Sequence, residues 1–340
     1  MDSVTRAEGT TICFGEMLLR LSAPAAEALF QHDRLDACFV GAEANVAVAL
    51  ARLGRPSALV TTLPDSAIGE GALDTVRRAG VDVRHVLLRP GRMGLYYLSP
   101  GSGLRQPAII YDRQNSSFAL TGAEAYDWPA VLEEAAMLHL SGITPALTPE
   151  THALSLTAME AARAAGVLVS FDGNFRASLW QRWCADPAPI LARHVALADL
   201  FFGNARDISL LLGTSLDNGD PQQRRAAALA AFARFPNLRH IASTHRRVVH
   251  SGLHHLSARI DTADDFFETA EIEVSGIVDR IGTGDAFAAG VIAHLNEGIE
   301  HAAQTGLALA VLNHFIRGDM SPVTSAELAA FQSGGGDVRR

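Results

Sequence analysis

The run Val278-Asp279-Arg280-Ile281-Gly282-Thr283-Gly284-Asp285-Ala286-Phe287-Ala288-Ala289-Gly290 combines residue types that can do chemistry. Two glycines one residue apart let an anionic group approach the backbone closely. The apolar helical pattern that follows must begin with N–H groups that no helix bond satisfies, and with a partial positive charge. Gly282, Thr283 and Gly284 are therefore candidates to cradle an oxyanion. Asp285 sits at the same helix start, in a field that favours its ionised form. A carboxylate beside an anion cradle is useful where a proton and a transferred anion meet. Phosphoryl transfer to an alcohol needs that pair: a base for the hydroxyl and donors for the charge on the moving group. The plainer account is that Asp285 caps the helix and the glycines make a tight turn.

The rest of the composition narrows the chemistry. All 28 basic residues are arginine, and no lysine occurs in the 340 residues. Mechanisms built on a primary amine are excluded, among them a phosphate-loop lysine, a Schiff base and a pyridoxal anchor. Any phosphate or carboxylate must be met by arginine, backbone N–H groups or a metal. A formal charge of −9 argues against nucleic acid or an anionic membrane as partner. Cys13, Cys38 and Cys184 are few, odd in number and scattered, which suits a reducing compartment and gives no metal-ligand spacing. His245, His250, His254 and His255 cluster without a companion acid or cysteine pattern, and read as exposed strand or turn histidines; no metal site is assigned. The polar stretch 1–10 lacks the apolar core of a signal peptide, and runs such as 226–232 and 307–312 are too short to span a bilayer. A soluble, cytoplasmic protein is expected.

The candidate residues need elements to position them. Short apolar runs at 11–14, 57–60, 137–140, 167–171, 200–202 and 240–243 read as buried strands. Helical patterns at 44–53, 69–79, 149–165, 221–235, 284–297 and 302–315 alternate with them, as in strand–helix–strand units around a parallel sheet. Two stretches, 16–40 and 81–118, break the rhythm with alternating segments (81–88, 94–98, 108–111) punctuated by Gly and Pro. They predict antiparallel strands standing off the α/β body as a cover over its cleft. The tail 333–340, with three consecutive glycines, reads as frayed.

With those elements in place, the segment 278–290 resembles the C-terminal signature of the ribokinase-like (PfkB) carbohydrate kinases, an Asp-Thr-x-Gly-Ala-Gly-Asp pattern entering a helix. The family's Gly-Gly-x-x-x-Asn pattern is echoed by Gly41-Ala42-Glu43-Ala44-Asn45, before a helix ending in Arg52-Leu53-Gly54. Further similar strings are Gly94-Leu95-Tyr96, Tyr111-Asp112-Arg113, His139-Leu140-Ser141-Gly142-Ile143-Thr144, Asp172-Gly173-Asn174-Phe175-Arg176 and Arg317-Gly318-Asp319. Together they run from about 11 to 328 and look most like the 2-keto-3-deoxygluconate kinases. The resemblance implies a three-layer α/β/α core with a central mostly parallel sheet. It implies a single domain over 1–340, with a small antiparallel β-lid formed by parts of 16–40 and 81–118.

It also implies roles. Asp285 would deprotonate the acceptor hydroxyl, and the amides of Gly282, Thr283 and Gly284 would form the anion hole. Gly41, Asn45, Tyr96, Tyr111, Arg113 and Arg176 would hold a sugar acid, whose carboxylate is best met by a guanidinium fork. Taken alone, Arg113 and Arg176 would be surface arginines, and Tyr96 and Tyr111 half-buried strand residues. Asn204 and Asp207 resemble an Asn-x-x-Glu motif that helps place magnesium and phosphates, although the pair would equally cap a helix. Ser243, Arg246 and Arg280, with Gly282 and Gly284, would face the nucleotide. ATP and Mg2+ are the implied cofactors, and a homodimer formed through the lid is the implied assembly.

Three departures from the family pattern stand out. Arg280 replaces a small residue beside the phosphate cradle, Thr283 replaces Ala, and 243–248 lacks a Lys-x-Gly-x-x-Gly loop, with Arg246 and Arg247 in its place. The expected activity is ATP-dependent phosphorylation of the terminal hydroxyl of 2-keto-3-deoxygluconate. The alternatives are a kinase of fructose, ribose or 2-keto-3-deoxygalactonate, or a non-catalytic sugar-acid sensor. A nicotinamide dehydrogenase fits least, because the glycine pair does not follow the first strand.

Overall fold

A computed structural model describes residues 9–24, 27–101 and 104–334. The segment 1–8 and most of the tail expected to fray lie outside the described residues. The strands in chain order are β1 (Thr10–Phe14), β2 (Leu18–Ser22), β3 (Asp36–Val40), β4 (Ser57–Pro64), β5 (Val86–Arg89), β6 (Gly94–Ser99) and β7 (Ala108–Asp112). They continue as β8 (Ala135–Ser141), β9 (Leu168–Asp172), β10 (Leu200–Phe202), β11 (His240–His250), β12 (Leu253–Asp261), β13 (Phe266–Glu268) and β14 (Ile272–Ser275).

A ten-stranded sheet runs β13-β12-β11-β10-β9-β8-β1-β4-β5, with β14 also paired to β12. From β11 to β5 every pairing is parallel. Such strands are covered on both faces, so they read as continuous apolar runs. Alternate side chains separate into two cores: Cys13, Leu59 and Phe202 on one face, Phe14, Val60 and Phe201 on the other. The helices Ala42–Arg52, Thr283–His294 and Ile299–Asn313 cover the first face. Helices Pro149–Ala164, Ala188–Leu197 and Pro221–Arg234 cover the second. This is the expected three-layer α/β/α core.

Two of these helices meet in close contact. A Cβ on Gly290 would stand 2.7 Å from the Cα of Gly306, so Thr283–His294 and Ile299–Asn313 pack backbone against backbone. No described helix is long and apolar enough to cross a membrane.

The second sheet has the order β3-β2-β6-β7 and stands apart from the first. Two antiparallel pairs, β2 with β3 and β6 with β7, meet along a parallel seam between β2 and β6. Leu18, Val40, Tyr96 and Leu98 form its apolar face.

Three sequence expectations are corrected. The segment 81–88 does not belong with the small sheet: β5 pairs parallel with β4, and Asp82 bridges to Ala58, because the apolar run extends the main sheet by one edge strand. The strand expected at 240–243 continues to His250 and turns into β12, so 243–248 is strand and not loop. Of the four histidines expected to be exposed, His254 is fully buried on the inward-facing side of β12, edge to face with His314 at 6.0 Å.

Candidate active site

The C-terminal ends of parallel strands open onto a crevice where α/β sheets bind ligands. Here a cavity of about 750 Å3 lies at those ends and under the small sheet. It is lined by residues from both, including Gly41, Asn45, Tyr96, Tyr111, Arg113, Asp172, Arg176, Asn204, Arg246, Arg280, Asp319 and the run Gly282–Asp285. An adjoining cavity of about 240 Å3 shares Asp172, Arg176, Asn204 and Gly284 and adds Asp207 and Ser243. All the residues named from the sequence thus border one or other of two joined spaces.

Helix Thr283–His294 starts at Gly282, whose φ of +82° is the left-handed region that glycine tolerates. A Cβ at Gly282 would also run into the backbone carbonyl of Asp319. No side chain caps this helix, so its first N–H groups stay available to a ligand. Asp285 is therefore not a cap. Its carboxylate lies in the cavity, where Asn45 Nδ2 donates to Oδ2 at 2.6 Å. Burial pushes the Asp285 carboxyl well above the usual carboxylate range; the Asn45 hydrogen bond opposes that, and the charges of Asp172, Asp319 and Glu43 add to it. Asp172, at the end of β9, is pushed up to about 7, mainly by burial. Asn174 holds an unusual φ of +34° while its N–H donates to Asp172 Oδ1 at 3.0 Å.

The small sheet is tied to Asp279 and Asp319, beside the start of helix Thr283–His294, by a buried network. Arg20 on β2 donates to Asp319 at 2.6 Å and to Asp279 at 2.5 Å. The Tyr96 hydroxyl lies 2.8 Å from one Asp319 carboxylate oxygen and 3.0 Å from the other, and donates to the nearer. Tyr111 stands opposite Tyr96 in the register, with ring centroids 5.8 Å apart.

The arginines divide into two kinds. Arg113 is buried and donates through Nε to Glu16 at 2.8 Å, with Nη2 bonded to the same oxygen. Arg176, Arg246 and Arg280 border the cavity with no carboxylate partner among the described residues. Burial and the like charge of Arg280 lower the Arg246 pKa, a setting that an anion between the two would relieve. Asn204 and Asp207 form a reciprocal cap: the Asn204 side chain accepts from Arg206 N at 2.8 Å, and Asp207 Oδ2 accepts from Asn204 N at 2.9 Å. The cap is thus shown, and it borders the cavities, Asn204 both of them and Asp207 the smaller.

Sequence reasoning gave no role to Glu16, Arg20, Glu43, Asp172 or Asp319. Glu43 is buried against β8 and accepts from Ser141 N at 2.9 Å and Oγ at 2.6 Å. Asp172 and Asp319 lie inside the similar strings, which was the available signal. The partners of Arg20 are 259 and 299 residues away, and nothing local announces them.

Comparison with known proteins gives the family. Residues 10–325 match the pfkB family carbohydrate kinase profile. The chain is 32% identical over 327 residues to a 2-dehydro-3-deoxygalactonokinase of Haloferax volcanii, covering 95% of this chain and 96% of the relative. It is 30% identical over 331 residues to a 2-dehydro-3-deoxygluconokinase of Bacillus subtilis, covering 95% of each. The crystal structure of the 2-dehydro-3-deoxygluconokinase of Thermotoga maritima superposes with a TM-score of 0.90 at 30% identity, over 96% of this chain and 100% of that one. Fold, cavity and relatives converge: the chain belongs to the PfkB family of carbohydrate kinases, phosphotransferases with a sugar hydroxyl as acceptor.

Proposed function

We propose that the protein transfers the γ-phosphoryl group of ATP to the terminal hydroxyl of a 2-keto-3-deoxy sugar acid, with 2-keto-3-deoxygluconate as the first candidate and the 6-phosphate as product. One observation carries this: the Asp285 carboxylate, held by Asn45, stands at an uncapped helix start inside a cavity bordered by unpaired arginines. Asp285 takes the hydroxyl proton as the oxygen bonds to the γ-phosphorus. The bond to the β–γ bridging oxygen breaks, and ADP leaves with that electron pair. The amides of Gly282, Thr283 and Gly284 meet the charge on the transferred group.

Arg176, with the remaining Nη1 of Arg113, receives the sugar carboxylate, and Gly41, Asn45, Tyr96 and Tyr111 shape the sugar side. Arg246 and Arg280 meet the polyphosphate, with Ser243 and Asn204 beside them. Asp172 and Asp207 offer the hard oxygen donors that suit Mg2+, which when bound screens phosphate charge. The small sheet is the lid that keeps water from competing as acceptor. Lid-to-lid pairing into a homodimer belongs to the same proposal, supported by Ile109 and Ile110 exposed on the edge strand β7.

A panel of 2-keto-3-deoxygluconate, 2-keto-3-deoxygalactonate, fructose and ribose, with ATP and Mg2+, tests the proposal by ADP release. Turnover of a keto-deoxy acid, reduced about 10²–10⁴-fold in Asp285→Asn with the fold intact, is the expected result. Preference for a neutral sugar overturns the substrate class, and sugar binding without ADP release makes the protein a sensor. The galactonate epimer is the second reading, favoured by the relative of that name at 32% identity.

A further inference from the structure

The far end of the catalytic helix holds a constellation that phosphoryl transfer does not use. Thr283–His294 ends about 16 Å from its start. The turn Leu295–Glu297 follows, and Gly298, at φ +106°, directs the chain into helix Ile299–Asn313. That turn sets His301 against the end of the preceding helix. Nδ1 of His294 lies 3.0 Å from Oε1 of Glu297, and Nε2 of His301 lies 3.3 Å from Oε2. The two imidazoles meet edge to face at 5.0 Å, and one ligand atom from each of the three residues lies within 4.8 Å of the others.

Around a tetrahedral ion with bonds of about 2.0–2.1 Å, neighbouring ligand atoms are about 3.3 Å apart. Each imidazole nitrogen already stands within a few tenths of an ångström of that value from one of the two Glu297 carboxylate oxygens, and a small turn of the carboxylate would bring a single oxygen to face both. The scaffold is firm, because Gly290 and Gly306 fix the two helices in backbone contact. Two imidazoles and one carboxylate suit a borderline transition metal and serve Mg2+ poorly, since that ion takes oxygen donors in near-octahedral array.

We propose that His294, Glu297 and His301 bind a zinc-type divalent metal ion, with the fourth position open to water, as a clasp between the two helices. Arg55 is the resident cation that the metal must displace, its Nη2 2.8 Å from Glu297 Oε1. Its side chain is 45% exposed, so it can swing into solvent when the ion arrives. The site needs nothing from the reaction proposed above.

The test is a Zn2+ titration of the chelator-treated full chain, followed by calorimetry and by melting temperature, with Mg2+ as control and Co2+ as a spectroscopic probe. One Zn2+ per chain, a rise in Tm on binding and ligand-field bands with Co2+ are expected. His301→Ala, at a solvent-facing position, should weaken Zn2+ by at least about tenfold without unfolding. Arg55→Ala should tighten it, which loss of a merely structural ion pair would not do. Undiminished stoichiometry in a His294→Ala/His301→Ala double variant, or weaker Zn2+ binding by Arg55→Ala, overturns the site.

Discussion

The base proposed here works only when it has lost its proton, so the environment of Asp285 bears on the pH dependence. Burial holds its carboxyl above the ordinary range, and Asp172 beside it is pushed up to about 7. Activity therefore falls as pH drops through that raised value, and the acid limb of kcat/KM lies nearer neutrality than the ~4 of a free carboxylate. A limb confined below about pH 5 removes Asp285 as base. The arginines predict a contrast. Arg176→Ala should raise KM for the sugar acid far more than for a neutral sugar, while Tm holds. Arg113→Ala leaves Glu16 buried and unpaired, which costs about 3–5 kcal/mol of stability and shows first as a lower Tm. Equal Tm losses in the two variants remove the distinction. At this scale the sequence was informative wherever placement follows from residue type and local spacing, as for the uncapped helix start and cavity position of Gly282–Asp285. It was silent on Glu16, because its pairing with Arg113 spans 97 positions.

Elements were legible where one face or both meet a core. The parallel strands inside the sheet were recovered, the edge strand β5 excepted, because burial on both faces writes a continuous apolar run. The outer half of β11 was not, because beyond Ser243 it leaves the helical layers and carries arginine and histidine on exposed backbone. The expectation for 81–88 failed because the alternating residues 81–84 lie before β5, where Asp82 bridges to Ala58, and lead into a half-covered edge strand of the main sheet. The break at Gly298 also concealed the histidine–glutamate cluster, since the expected helices stopped at 297 and restarted at 302, leaving His301 between them. The helix pair Thr283–His294 and Ile299–Asn313 gives a prediction: Gly290→Val must separate two backbones that touch. The loss should exceed the roughly 1–3 kcal/mol of ordinary overpacking, read as a fall in Tm or as insoluble protein. A variant as stable as the parent contradicts the backbone contact.

Over the whole molecule, the α/β/α body and the small sheet were readable as two patterns in one chain, but the way they join was not. The exposed Ile109 and Ile110 predict that two chains associate lid to lid. Sedimentation should give a dimer that Ile110→Asp converts to monomer, and a parent that is monomeric at micromolar concentration disproves the pairing.

The Arg20–Asp279–Asp319 junction has a consequence for how the two substrates sense each other. The same aspartate that anchors β2 presses its backbone against Gly282, at the start of the helix that carries Asp285. Under the proposed reaction, a sugar that drew the small sheet inward would pull on the backbone proposed to receive the nucleotide. Occupancy of either proposed pocket would then be thermodynamic information available to the other, in equal measure in both directions.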